Sequence, residues 1–136
     1  LLIQKEEKRR LYQIIDEEGE EGFKAIENRV NASIETEATV IATGGSVVYC
    51  SEAMEHLKSI GKVVYLKLSL ETLEKRLGNL KKRGVLLKEG QTLKSLYEER
   101  IPLYEKYADI VVDEEGKDLE ASLQALLETL QIEVNK

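Results

Sequence analysis

Two glycines after a short β-branched run are the most chemically suggestive feature of this sequence. Val40-Ile41-Ala42-Thr43-Gly44-Gly45-Ser46 reads as a buried strand at 39–42 running into a tight turn. In parallel α/β sheets, ligands collect beyond the carboxyl ends of strands. Glycines there let backbone N–H groups approach a ligand with no Cβ in the way; a strand-to-helix turn without a ligand explains the same spacing. Lys24 and Glu27, three apart, project from one helix face and would offer a cation and an acceptor to a hydroxy acid. A solvated face with Glu20–Lys24 as an i,i+4 pair is the plainer alternative. Arg100 shares a face with Tyr104 and Tyr107, where its planar fork could meet a carboxylate or simply pair with Glu98 or Glu99. Arg76, Lys81, Lys82 and Arg83 flank Gly84 and suit a mobile basic lid over phosphates. Cations complementing a helix dipole explain three of those four equally well.

Other chemistries are excluded by what the sequence lacks. No G-x-x-x-x-G-K-[ST] phosphate loop occurs; Gly90-Gln91-Thr92-Leu93-Lys94-Ser95 lacks the second glycine and follows no strand. One His and one Cys cannot make a zinc site of the usual composition. Cys50 has no intramolecular disulfide partner, which fits a reducing cytoplasm, and nothing places the single His beside it to activate a nucleophile. The formal net charge of −6 argues against DNA, RNA or anionic membranes as partners. It leaves room for a small anionic ligand, which needs only a few placed cations. With 42% hydrophobic and 34% charged residues in 136, the expectation is one globular domain. No apolar run approaches the roughly 18 residues of a membrane span, and no basic segment leads an apolar stretch as in a secretory signal.

The elements that must position these residues follow from apolar periodicity. A helix is expected over 1–16, then an acidic turn, Glu17 to Glu21, bracketed by Gly19 and Gly22. A second helix carries Phe23, Ile26, Val30 and Ile34 on one face. After the strand at 39–42, Ser51 caps a helix with Met54, Leu57 and Ile60, closed by Gly61. Lys62 to Leu68 is a strand, and Ser69 caps a helix striped by Leu70, Leu73, Leu77 and Leu80. Gly84 to Gln91 reads as a loop. Thr92 opens a helix that Pro102 should break or kink near Arg100. Ile110-Val111-Val112 is a third strand, and Leu119 to Ile132 an amphipathic helix with Leu119, Leu123, Leu126, Leu127 and Leu130 inward. Helices alternating with short apolar strands give an α/β fold, a parallel sheet covered on both faces. Three strands are few for such a sheet, so the first strands are expected to be missing from this sequence.

In this order the motifs resemble the shikimate kinase family of P-loop small-molecule kinases. Glu18-Gly19-Glu20-Glu21-Gly22-Phe23 is similar to the family's E-G-E-x-x-F segment, followed by Glu27. Val40 to Gly45 is similar to its V-x-A-T-G-G turn, and Arg100-Ile101-Pro102-Leu103-Tyr104 with Ala108-Asp109 to its R-x-P-L-Y…A-D motif. The match runs from Leu1 to about Asp113.

The resemblance implies a three-layer fold with strand order 2-3-1-4-5, within a single domain over 1–136 that is incomplete at its N-terminus. It implies a substrate-binding helix region at 17–35 and a lid region at 76–92. It also implies ATP and Mg²⁺ as cofactors and phosphorylation of a hydroxyl on shikimate, in aromatic amino acid biosynthesis, by a cytoplasmic monomer. Lys24, Glu27, Gly44, Gly45 and Arg100 would bind the acceptor, with Arg100 on its carboxylate. Arg76 would stack on adenine, and Arg83, the catalytic lid arginine, would reach the transferring phosphate. Four departures stand out: the phosphate loop and its Asp-x-Asp, with the Mg²⁺ ligands, would precede Leu1; Lys24 replaces an arginine; Ser46 replaces a third glycine; and Arg83-Gly84 replaces Arg-Pro. The missing first strand would lie between those at 39–42 and 63–68. A kinase for another small hydroxy acid or sugar, and a non-catalytic metabolite-binding fragment, are the alternatives.

Overall fold

The computed structural model describes residues 2–77 and 90–130. These fall into two compact units, Leu1–Gly61 and Lys62–Lys136.

In the first unit a short helix, α1 (Leu2–Glu7), ends at Lys8, whose φ is 54°. The chain turns and enters α2 (Leu11–Ala32), where Gln13 Oε1 accepts from the Arg10 backbone N–H and Gln4 Oε1 from that of Leu11. Both are donors that a helix start leaves without an intrahelical partner. The expected break between two helices is present: two helical stretches meet across a kink at Gly19. Gly19 takes φ 73°, ψ 179°, and helical residues continue on both sides. Only glycine adopts that conformation without strain, so the break falls at a glycine. Ile14 is buried before the kink, and Phe23, Glu27, Val30 and Asn31 after it. Glu7 bonds Arg29 at 2.7 Å and Arg9 at 3.0 Å, and Arg9 reaches Glu17 at 2.6 Å, fastening α1 along α2.

The expected strand at 39–42 is not a strand. The segment is irregular, and Val40 is 95% exposed. A β-branched run becomes a strand only when a neighbour takes its backbone hydrogen bonds, and the described residues provide no such neighbour. A single 3₁₀ turn (Gly45–Tyr49) follows, burying Val47 and Val48. It leads into α3 (Ser51–Ile60), whose Ala53, Met54 and Leu57 are buried. Cys50, not Ser51, occupies the N-cap, and Gly61 follows the last turn. Asn28 Oδ1 on α2 accepts the Ala53 backbone N–H at 3.0 Å, meeting one of α3's orphan donors from outside.

In the second unit β1 (Val64–Lys67) and β2 (Ile110–Asp113) pair in parallel, with Val64 opposite Ile110 and Lys67 opposite Asp113. Asp109 extends the ladder by side chain: its Oδ2 accepts the Val63 N–H at 2.8 Å while its own N–H donates to Val63 O at 2.8 Å. Beyond the other end of the pair, Ser69 caps α4 (Leu70–Leu77), its Oγ accepting from the Thr72 N–H. Glu115 accepts from the Ser69 N–H at 2.9 Å and from the Thr72 hydroxyl. That places a carboxylate at a helix N-terminus, where the dipole favours it. Thr92 and Ser95 form a reciprocal capping box at the start of α5 (Leu93–Tyr107). Of the break or kink expected at Pro102, the break does not occur: α5 runs through it. Its missing N–H removes one internal bond, while the cap at one end and burial of Leu96 and Tyr107 hold the helix. The last helix, α6 (Leu119–Leu130), buries no residue fully; Leu119 and Leu123, expected inward, are 88% and 53% exposed.

Candidate functional site

Glu27 is the centre of the candidate site. It sits on α2 one turn after Phe23 and is 3% exposed, an uncommon state for a carboxylate. The Ser46 hydroxyl approaches both its oxygens, at 2.9 Å from Oε1 and 3.0 Å from Oε2. A Cβ built on Gly44 would stand 3.6 Å from Oε2, so the glycine turn lies against the carboxylate. Gly44 and Gly45 themselves are exposed. The structure therefore brings together three residues that sequence spacing singled out separately: Glu27 from a helix, Gly44 and Gly45 from the turn after 39–42.

Lys24, one turn before Glu27, lies 3.7 Å from Glu20, 3.8 Å from Glu21 and 4.8 Å from the centre of the Tyr49 ring. The expected i,i+4 pair with Glu20 is present. The aromatic ring beneath the ammonium adds a cation–π contact that spacing along one helix could not reveal. Cys50 Sγ lies 3.7 Å from Lys24 O and 3.9 Å from Glu27 Oε1. Burial, and then the neighbouring Glu27 charge, push its thiol up to about 11. Such a thiol stays protonated and is a poor nucleophile.

Sequence reasoning missed Ser46, Tyr49 and Cys50 as neighbours of the Lys24–Glu27 face. Ser46 had a signal, as the polar residue directly after two glycines. The other two had none, because only the 3₁₀ turn brings them to α2.

Arg76 and Arg100 belong to the second unit. Arg76 is exposed on the last turn of α4, and its Nη2 donates to the Lys117 carbonyl at 3.4 Å in the loop between β2 and α6. The Glu115 carboxyl is held below the usual range, first by the Thr72 hydroxyl and least by the nearby Arg76 charge. Arg100 is half-buried on α5. On the same helix the Tyr104 ring packs 5.3 Å from that of Tyr65, and the Tyr97 hydroxyl donates to Leu68 O at 3.1 Å. Arg83, with Lys81, Lys82 and Gly84, lies outside the described residues. A groove of about 230 Å³ beside α1 is lined by Leu2, Glu6, Val30, Ser33, Ile34 and Glu35, and holds none of the expected site residues. Among the described residues, no group of three or more His, Cys, Asp or Glu side chains is placed to hold a metal ion. Nor is any described helix long and apolar enough to cross a membrane.

Comparison with known proteins supplies the context for this geometry. The family described as shikimate kinase matches residues 1–131. The shikimate kinase of Dictyoglomus turgidum is 37% identical over 134 residues, 95% of this chain and 78% of that protein. That of Shewanella oneidensis is 36% identical over 120 residues, 86% of this chain and 70% of that protein. Among solved structures, shikimate kinase from Acinetobacter baumannii in complex with shikimate superposes with a TM-score of 0.76 at 31% identity, over 97% of this chain and 76% of that one. The Aquifex aeolicus enzyme gives the same TM-score at 33% identity, over 95% and 76%. The fold is that of P-loop kinases, and the parallel β1–β2 pair is the part of its sheet among the described residues. The chain belongs to the shikimate kinase family.

Proposed function

We propose that this protein transfers the γ-phosphoryl group of ATP to a hydroxyl of shikimate. The observation that carries the reading is the buried Glu27 carboxylate seated against the exposed Gly44–Gly45 turn, on motifs shared with a family that includes a shikimate-bound structure. A carboxylate there accepts hydrogen bonds from acceptor hydroxyls, and the glycines let the ring approach the backbone closely. Lys24 contributes positive charge beside Glu27. Arg100 is assigned to the acceptor carboxylate, where its planar fork can bond both oxygens.

On the nucleotide side, exposed Arg76 offers a flat guanidinium for stacking on adenine, and Arg83 is the lid cation for the transferring phosphate. Residues 17–35 then form the acceptor-binding helix region and 76–92 the lid of one domain. Kinases of this family use ATP with Mg²⁺. The described residues fit no magnesium site, so none of them is given that role. ATP supplies the phosphoryl group. The residues named here bind, orient and neutralise charge, the main protein contributions to such transfers. The proposed setting is the cytoplasm, where a lone thiol such as Cys50 stays reduced, with a monomer as the working unit.

The test is an ADP-release assay on the natural polypeptide that contains this chain, with shikimate and a panel of other small hydroxy acids and sugars. Shikimate-dependent ADP release supports the reading. Preference for another acceptor would move the substrate and point to Lys24, which lacks arginine's fork. No release with any acceptor would remove the kinase assignment.

A further inference from the structure

A polar partner given to the Glu27 carboxylate by the turn is Ser46, in a position where the family resemblance expects glycine. Its hydroxyl lies at nearly equal distances from the two carboxylate oxygens, 2.9 and 3.0 Å. A serine hydroxyl has one proton and two lone pairs. With the proton directed at Glu27, the lone pairs face away from the carboxylate, and the Ser46 side chain is half-buried, not sealed. The carboxylate, in turn, is oriented across the end of the glycine turn, with Gly44 against Oε2 and the Cys50 thiol near Oε1.

We infer that Ser46 is a positioning and specificity-determining residue: its hydroxyl orients the Glu27 carboxylate and adds a second acceptor oxygen beside it, so that the pair selects acceptors presenting a hydroxyl donor there. The inference rests on the acceptor-binding reading of Glu27. It goes beyond that reading by assigning recognition to a residue that the family motif leaves without a side chain. The burial of the turn itself does not depend on Ser46, since Val47 and Val48 carry it.

The experiment compares the parent protein with Ser46→Ala and Ser46→Thr in steady-state assays, using shikimate and an analogue lacking one ring hydroxyl. Losing a hydrogen bond to a charged group predicts an acceptor KM raised about ten-fold in Ser46→Ala. The KM for ATP should stay within about two-fold, because the lost contact involves only the acceptor side. Ser46→Thr keeps the hydroxyl and should recover most of the acceptor affinity. The ratio of kcat/KM between shikimate and one deoxy analogue should collapse toward unity in Ser46→Ala alone. A purely structural role would lower the melting temperature without that loss of discrimination. If Ser46→Ala does not fold, Ser46→Cys, similar in shape but a weak donor, is read in its place. An acceptor KM within two-fold of the parent, or discrimination retained in Ser46→Ala, overturns the inference while leaving the kinase intact. Failure of the parent itself to use shikimate overturns the acceptor reading, and the Ser46 inference with it.

Discussion

Gly44→Ala separates what the fold requires from what the acceptor requires. Gly44 has φ −71° and ψ 155°, a conformation open to any residue. Among the described residues a Cβ there would meet only Glu27 Oε2, at 3.6 Å, an ordinary van der Waals distance. Alanine therefore fits the folded chain and restricts the unfolded one, a gain of about 0.4–1 kcal/mol. For a chain of this size that raises the melting temperature by about 1–4 °C. If the acceptor ring packs over the turn, the same methyl group intrudes on it. Overpacking costs about 1–3 kcal/mol, or roughly a 5- to 150-fold loss of acceptor affinity. Thermal melts and acceptor titration at saturating ATP read the two effects separately. A melting temperature lowered by more than about 4 °C would refute the conformational argument, because the turn would then be under a constraint its dihedrals do not show. An acceptor KM within about two-fold of the parent would mean that the acceptor does not approach Gly44.

Four further outcomes are expected. Arg100→Lys keeps the charge and loses the bidentate fork, so the acceptor KM should rise about ten-fold or more with the KM for ATP nearly constant; equal changes in both would remove Arg100 from the acceptor. The native Cys50 thiol, pushed up to about 11, should resist alkylation at pH 8 and react quickly once urea unfolds the chain; fast native alkylation would contradict its burial against Glu27. Between pH 9 and about 11 the native state keeps the Cys50 proton that the unfolded chain has released, so stability falls as pH rises through that window. Tyr65, pushed up to about 12 chiefly by burial, extends the decline, and urea midpoints at pH 8 and 10.5 check the sign. Finally, Asp109→Ala removes the acceptor for the Val63 N–H and should cost about 1 kcal/mol in urea denaturation. An unchanged midpoint would show that water replaces it at this exposed position.

Much of the fold was legible because local signals and tertiary demands coincide. The strands expected at 62–68 and 110–112 supply the parallel pair Val64–Lys67 and Ile110–Asp113, and the Thr92 cap starts a helix where expected. Three features went the other way for physical reasons. Val40 and Ile41 look like a strand, but a strand is a paired object and periodicity does not report the partner. Pro102 looks like a break, yet it removes only a local increment of helix stability, and the Thr92 cap with buried Leu96 and Tyr107 outweighs it. Leu119 and Leu123 mark an apolar face on α6, and the pattern shows which way that face points without saying what covers it.

The site divides along the same line. Spacing singled out Lys24 and Glu27 on one helix face and the paired glycines after a β-branched run, but left a solvated face and a ligand-free turn open; the resemblance is what pointed to a site. Their meeting was legible only through the order of the motifs. The carboxylate's immediate company was not: the three-residue period of the 3₁₀ turn brings Ser46 and Tyr49, with Cys50 just after it, to Glu27 or Lys24 while Val47 and Val48 go to the core. That turn makes the departure at position 46 consequential. A glycine there would leave both Glu27 oxygens without this donor, whereas serine commits a proton to a carboxylate that is only 3% exposed. Leaving a buried charge short of a hydrogen bond costs more than a typical surface contact yields. Serine at 46 is therefore explained by the burial of Glu27, and the acceptor assays decide whether that burial also serves recognition.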